Sequence, residues 1–158
     1  MSSESLRYLD QHPSLPDDAA PQQRDEFDEL RAVLLINSAL AALRTQPPDP
    51  TLAVHQTTRA YLLAVKVEHK GGLCPSAWSS THSLRTTTAK ALYRRALAKV
   101  ALKDDDGAKS DLLEASNLLE VEDPLNLKAA ISTELAKIAQ REKGLKEKEK
   151  KAYKKLFA

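Results

Sequence analysis

Apolar residues recur every three to four positions over long stretches of the chain and break at short polar or proline-containing segments. That spacing lays an apolar stripe along one face of an α-helix, and it predicts helices near 4–11, 23–46, 51–66, 88–103, 107–119 and 124–155. Many inward positions are alanines, which suits helices that cross closely in antiparallel pairs. In the last predicted helix Leu127, Ile131, Leu135, Ile138 and Leu145 form a single stripe. One face of that helix is therefore expected to be buried.

Stacked helix pairs keep a fixed spacing of small and large residues, and such a spacing is present. With Ala89 at position 1 of a repeat, Leu92, Ala96, Ala108, Leu112 and Ala115 fall at positions 4, 8, 20, 24 and 27. These are the small and large positions of a tetratricopeptide unit. Asp104, Asp105 and Asp106 precede Gly107 in the turn between the two helices, where acids suit a helix N-terminus. A second unit starts at Ala32, with Leu35 at 4 and Ala39 at 8; two extra residues at Pro47-Pro48-Asp49-Pro50 bring Ala53 to 20 and Ala60 to 27. The fold class is thus all-α, a tetratricopeptide-repeat solenoid whose long last helix covers its final apolar face.

One domain is expected over 1–158, with five parts. Residues 1–21 are the remnant of a first repeat and a linker, in which 4–11 stands as a second helix whose partner lies off the start of the chain. Residues 22–67 are the second repeat and 89–122 the third, and 123–158 form the capping helix with a basic tail. Between the repeats, 68–88 is surplus to the register, holds Trp78 and Cys74, and is rich in Ser and Thr. It is expected to be a loop, either a true insertion or translated non-coding sequence.

Composition narrows the function classes. No apolar run approaches the ~20 residues of a membrane helix, and residues 1–10 have no signal-peptide pattern. The lone Cys74 has no partner for a disulfide or a zinc site, so a reducing, cytoplasmic setting is expected, with no cofactor and no metal. His12, His55, His69 and His82 have no Asp or Ser placed to form a triad, the acids at 104–106 lack a calcium-loop order, and no glycine-rich phosphate loop occurs. No catalytic residue is assigned. Net charge is +2, but the segment from Arg141 to Ala158 carries eight Lys or Arg against three Glu, leaving the rest at −3. A nucleic-acid-tracking surface is not expected of such a body.

Lys90 and Arg94 lie four residues apart, project from one helix face and can converge on one anion. Asn37 stands among Leu35, Ile36, Ala39 and Leu40, where a polar side chain calls for a partner. Arg95 and Lys99, in register with one another, are weaker candidates for peptide contact, the plainer role being a salt bridge. The basic tail could meet calmodulin-like proteins or acidic membranes, although a solvated helix end explains it as well.

Several segments resemble a known family. Lys90-Ala91-Leu92-Tyr93-Arg94-Arg95-Ala96 and Glu149-Lys150-Lys151-Ala152-Tyr153-Lys154-Lys155-Leu156-Phe157 are similar to the tetratricopeptide domains of the large, forty-kilodalton cyclophilins and FK506-binding immunophilins. Leu6-Arg7-Tyr8-Leu9-Asp10 with His12-Pro13 and Leu15-Pro16 resembles the fungal members. The likeness spans 4–66 and 89–158 and includes no isomerase barrel. It implies a co-chaperone module that holds the acidic C-terminal tail of heat-shock protein 90, Met-Glu-Glu-Val-Asp, in a carboxylate clamp. Asn37, Lys90 and Arg94 match three of the five clamp groups, and the two from a first repeat have no counterpart here. The alternatives are a fragment carrying the name of a peptidyl-prolyl isomerase, and a scaffold that acts through its basic C-terminal helix.

Overall fold

The computed structural model describes residues 15–69, 81–119 and 126–156. Five helices occupy them: α1 (Pro21–Arg44), α2 (Pro50–His69), α3 (Thr81–Ala101), α4 (Asp105–Leu118) and α5 (Leu127–Leu156). No strand occurs among the described residues. Helix 4–11 lies outside them.

Local chemistry sets the helix starts. Pro21 and Pro50 stand at first positions, where a missing N–H costs nothing. Asp49 Oδ1 accepts from Leu52 N at 2.9 Å, and Asp104 Oδ1 accepts from Gly107 N at 2.9 Å, so each acid satisfies a donor the helix cannot. A Cβ on Gly107 would crowd the Asp104 carboxylate, so a larger residue there would require the capping side chain to shift. Lys103, at φ 63°, turns the chain between α3 and α4.

The repeat register is visible as burial. Ala32, Leu35, Ala39 and Ala53 are fully buried and Ala60 almost so; Ala89, Leu92, Ala96, Ala108, Leu112 and Ala115 are fully buried. Helices α1 and α2 pair, α2 packs on α3, and α3 pairs with α4, which makes α1 and α3 parallel neighbours. Ala32, Leu35, Ile36, Ala60, Ala64, Leu84 and Ala91 fill the gap between the two pairs. Thr57, at position 24 of its unit, is buried without cost to its hydroxyl, which donates to Ala53 O at 2.6 Å.

Two expectations are corrected. Residues 68–88 are not one loop: α2 runs to His69 and α3 begins at Thr81. Leu84 is 8% exposed in the core, and Thr88 is buried, its hydroxyl donating to Leu84 O at 2.8 Å. Only 70–80 remain of the expected loop, and they are not among the described residues. The α5 stripe is shorter than its periodicity suggests. Leu127, Ile131 and Ile138 are buried and Leu135 packs beside them, but Leu145 is 58% exposed. Helix α4 has 14 residues and α5 has 30, so α5 outruns the surface it covers. The ion pairs Arg141–Asp105 (2.7 Å) and Lys109–Glu142 (3.2 Å) fasten it to α4 near the end of their contact.

Candidate functional site

The parallel neighbours α1 and α3 bring Asn37 and Arg94 together. Arg94 Nη1 donates to Ile36 O at 2.6 Å and to Asn37 Oδ1 at 3.1 Å, so the guanidinium of one repeat is pinned to the helix of the other. Two of its five N–H donors are thereby engaged, and Nε and Nη2 stay available to a planar anion. Asn37 is exposed, contrary to the apolar setting expected for it, because its neighbours Leu35, Ile36 and Ala39 turn inward while it turns out. Its amide oxygen serves Arg94, and its NH₂ group remains a donor.

Burial, and after it the charge of Arg44, holds the Arg94 guanidinium below the usual arginine range. No hydrogen bond or ion pair joins it to a carboxylate among the described residues. Lys90 is half-buried one turn earlier on the same face, also with no carboxylate partner among the described residues. On α1, Val33 is 40% exposed one turn before Asn37 and adds an apolar surface beside the cations.

The next two cations behave differently. Arg95 makes a bidentate pair with Asp111, at 2.8 Å through Nε and 2.7 Å through Nη2, and lies 5.0 Å from the centroid of the Tyr61 ring. Lys99 Nζ is 2.8 Å from Asp111 Oδ2 and 3.3 Å from Gly107 O. The hydrogen bond from Arg95 to Asp111 outweighs burial and raises the Arg95 pKa. Tyr61 donates its hydroxyl to Glu114 at 2.8 Å, which raises the Tyr61 pKa. Arg95 and Lys99, expected as weaker peptide contacts, are thus engaged inside the fold and tie α3 to α4. Asp111 was not foreseen; the only hint is an acid at position 23, between the buried positions Ala108 and Leu112.

Among the described residues no three His, Cys, Asp or Glu gather as a metal site, and no helix is long and apolar enough to cross a membrane.

These helices and their buried register define an all-helical solenoid of tetratricopeptide type. Nearly the whole chain is related to fungal proteins named peptidyl-prolyl cis-trans isomerase D. It is 33% identical over 157 residues, 99% of its length, to the protein of that name from Mycosarcoma maydis. It is 35% identical over 156 residues, 97% of its length, to that from Cryptococcus neoformans var. neoformans serotype D, in two strains. The chain spans only 37% and 35% of the length of these curated relatives. No protein-family model matches it, and no solved structure does.

Proposed function

We propose that the chain is a peptide-binding co-chaperone module that takes the acidic C-terminal tail of heat-shock protein 90 between α1 and α3 through Asn37, Lys90 and Arg94. The observation that carries this reading is Arg94: a half-buried guanidinium, oriented by Ile36 O and Asn37, its charge disfavoured by burial and by Arg44, and lacking a carboxylate partner among the described residues. A bound carboxylate would relieve that imbalance. The resemblance to the large cyclophilins supplies the identity of the tail, and the relatives' name is in keeping with it.

Three clamp groups should hold the tail weakly. An affinity near micromolar corresponds to about 8 kcal/mol, and without two hydrogen-bonding groups that together contribute about 2–4 kcal/mol, residues 1–158 alone should bind between tens of micromolar and millimolar. Calorimetric or NMR titration with Met-Glu-Glu-Val-Asp tests this, with the C-terminally amidated peptide as control. The free acid should bind more tightly than the amide, binding should fall with added salt, and Lys90→Ala with Arg94→Ala should abolish it. Lys150→Ala with Lys151→Ala should change it little. Undiminished binding by the groove variant, or prolyl isomerase activity of this chain above the uncatalysed rate, would contradict the proposal.

A further inference from the structure

The two ends of the solenoid carry opposite charge beside exposed apolar groups. At the start of α1, Leu15, Pro16, Ala19, Phe27 and Leu30 line a cavity of about 530 Å³, and Asp18 and Glu26 join its wall. Phe27 and Leu30, three residues apart, share one face of the helix, and Leu30 is 54% exposed. The opposite wall is fastened in place. Ala19 N donates to Pro16 O at 2.9 Å, Ala20 N donates to Gln23 Oε1 at 3.1 Å, and Arg24 donates to the Asp17 carbonyl. Residues 15–31 hold six acids against Arg24 and Arg31, a net charge of −4. Burial, and after it the charge of Glu26, raises the Glu29 pKa, so negative charge is crowded on this part of α1.

At the other end, α5 continues past its ion pair at Glu142 to Leu156, about 21 Å further along the helix. Tyr153 and Leu156, also three residues apart, are 66% and 78% exposed, and they stand among Lys150, Lys151, Lys154 and Lys155. This basic end points away from the cavity of its own molecule. The start of α4 meets α5 at Arg141, and residues 119–126 join the end of α4 to the start of α5, so α5 runs back along α4. Helices α1, α3 and α5 therefore run in one sense, with the cavity at the first turns of α1 and the overhang at the last turns of α5. We propose that the end of α5 docks into the α1 cavity of a second copy of this chain, with Tyr153 and Leu156 against its apolar wall and the neighbouring lysines facing the acids of residues 17–29. Unlike surfaces meet in such a contact, which makes it heterologous.

One helix end in one cavity makes a small interface, so association should be weak and should emerge in sedimentation velocity as the chain approaches about 0.1–1 mM at low salt. The test uses a cavity variant, Leu30→Lys, and a tail variant, Tyr153→Ser with Leu156→Ser. Both alter exposed side chains, and circular dichroism confirms that each is folded. Each alone should associate at least about 10-fold more weakly than the parent, because a buried apolar side chain is lost from the contact. Added salt should weaken the parent's association as well. An equimolar mixture of the two variants pairs an intact cavity with an intact tail, and it should form a one-to-one complex that neither forms alone. Lys90→Ala with Arg94→Ala should associate as the parent does. A parent that stays monomeric to about 1 mM at low salt, a variant that associates as well as the parent, or a mixture that stays monomeric would overturn the assignment. Loss of association in the Lys90 and Arg94 variant would place the tail in the groove between α1 and α3 instead, and would overturn it equally.

Discussion

Replacing Asp111 with Asn should destabilise the fold more than any loss from the groove. Asp111 is 3% exposed and neutralises two cations at once, Arg95 through two hydrogen bonds and Lys99 at 2.8 Å. The substitution keeps the shape and removes the charge, leaving both cations without their shared carboxylate. Breaking a buried pair in this way costs about 3–5 kcal/mol. The Arg95 and Lys99 side chains retain 14% and 21% exposure, so part of their charge can turn toward water, and about 2–4 kcal/mol is the working expectation. For a domain of this size that corresponds to a fall in Tm of roughly 5–15 °C. Thermal unfolding followed by far-ultraviolet circular dichroism measures it, with urea titration for the free energy. The neighbouring Arg94→Ala provides the internal comparison. It removes hydrogen bonds to Ile36 O and Asn37 but strands no carboxylate, so its cost should be about 1 kcal/mol or less. A loss below about 1 kcal/mol for Asp111→Asn, or equal losses for the two variants, would refute the assignment of the Arg95–Asp111–Lys99 cluster as an internal tie.

Leu84→Ala should cost about 2 kcal/mol in urea titration, since Leu84 is buried between the helix pairs; a neutral result would return 81–88 to the status of a dispensable loop. The hydrogen bond from Arg141 holds the Asp105 carboxyl below its usual range. Its contribution is therefore fully present above the unfolded value near about 3.9 and is lost as pH falls through the lower folded value. Both groups are partly exposed, at 25% for Asp105 and 42% for Arg141, so the stability difference between the parent and Arg141→Gln should be under about 1 kcal/mol at neutral pH and vanish in acid.

The repeat register was legible because it depends on residue size at crossing points, and size is written directly in the sequence. Ala32, Ala39, Ala89, Ala96 and Ala108 could be placed inside with no knowledge of the partner helix, and all are buried. The first turns of α3 were not legible. Thr81-His82-Ser83-Leu84-Arg85-Thr86-Thr87-Thr88 is a poor helix former by intrinsic propensity, and one buried Leu is too little periodicity to reveal a helix. Docking of Leu84 between the pairs and the return bond of the Thr88 hydroxyl supply what propensity lacks. Leu145 failed for the opposite reason: the stripe continues in sequence beyond the helix that could cover it.

The candidate site shows the same limit more sharply. Helix α3 carries two cation pairs of identical spacing, Lys90 with Arg94 and Arg95 with Lys99. Like charges four residues apart on a helix repel, so each pair calls for an anion. Nothing local distinguishes them, because the deciding carboxylate is Asp111, on another helix, whose placement depends on how α4 returns along α3. Arg95 and Lys99 turn toward that return and find a buried acid. Arg94, one residue and about 100° away, turns toward α1, where it meets a carbonyl, an amide and the like charge of Arg44. Binding and stability should therefore separate cleanly between the two pairs: Asp111 variants should unfold at lower temperature before they lose peptide, and Lys90 and Arg94 variants should lose peptide while keeping most of their stability.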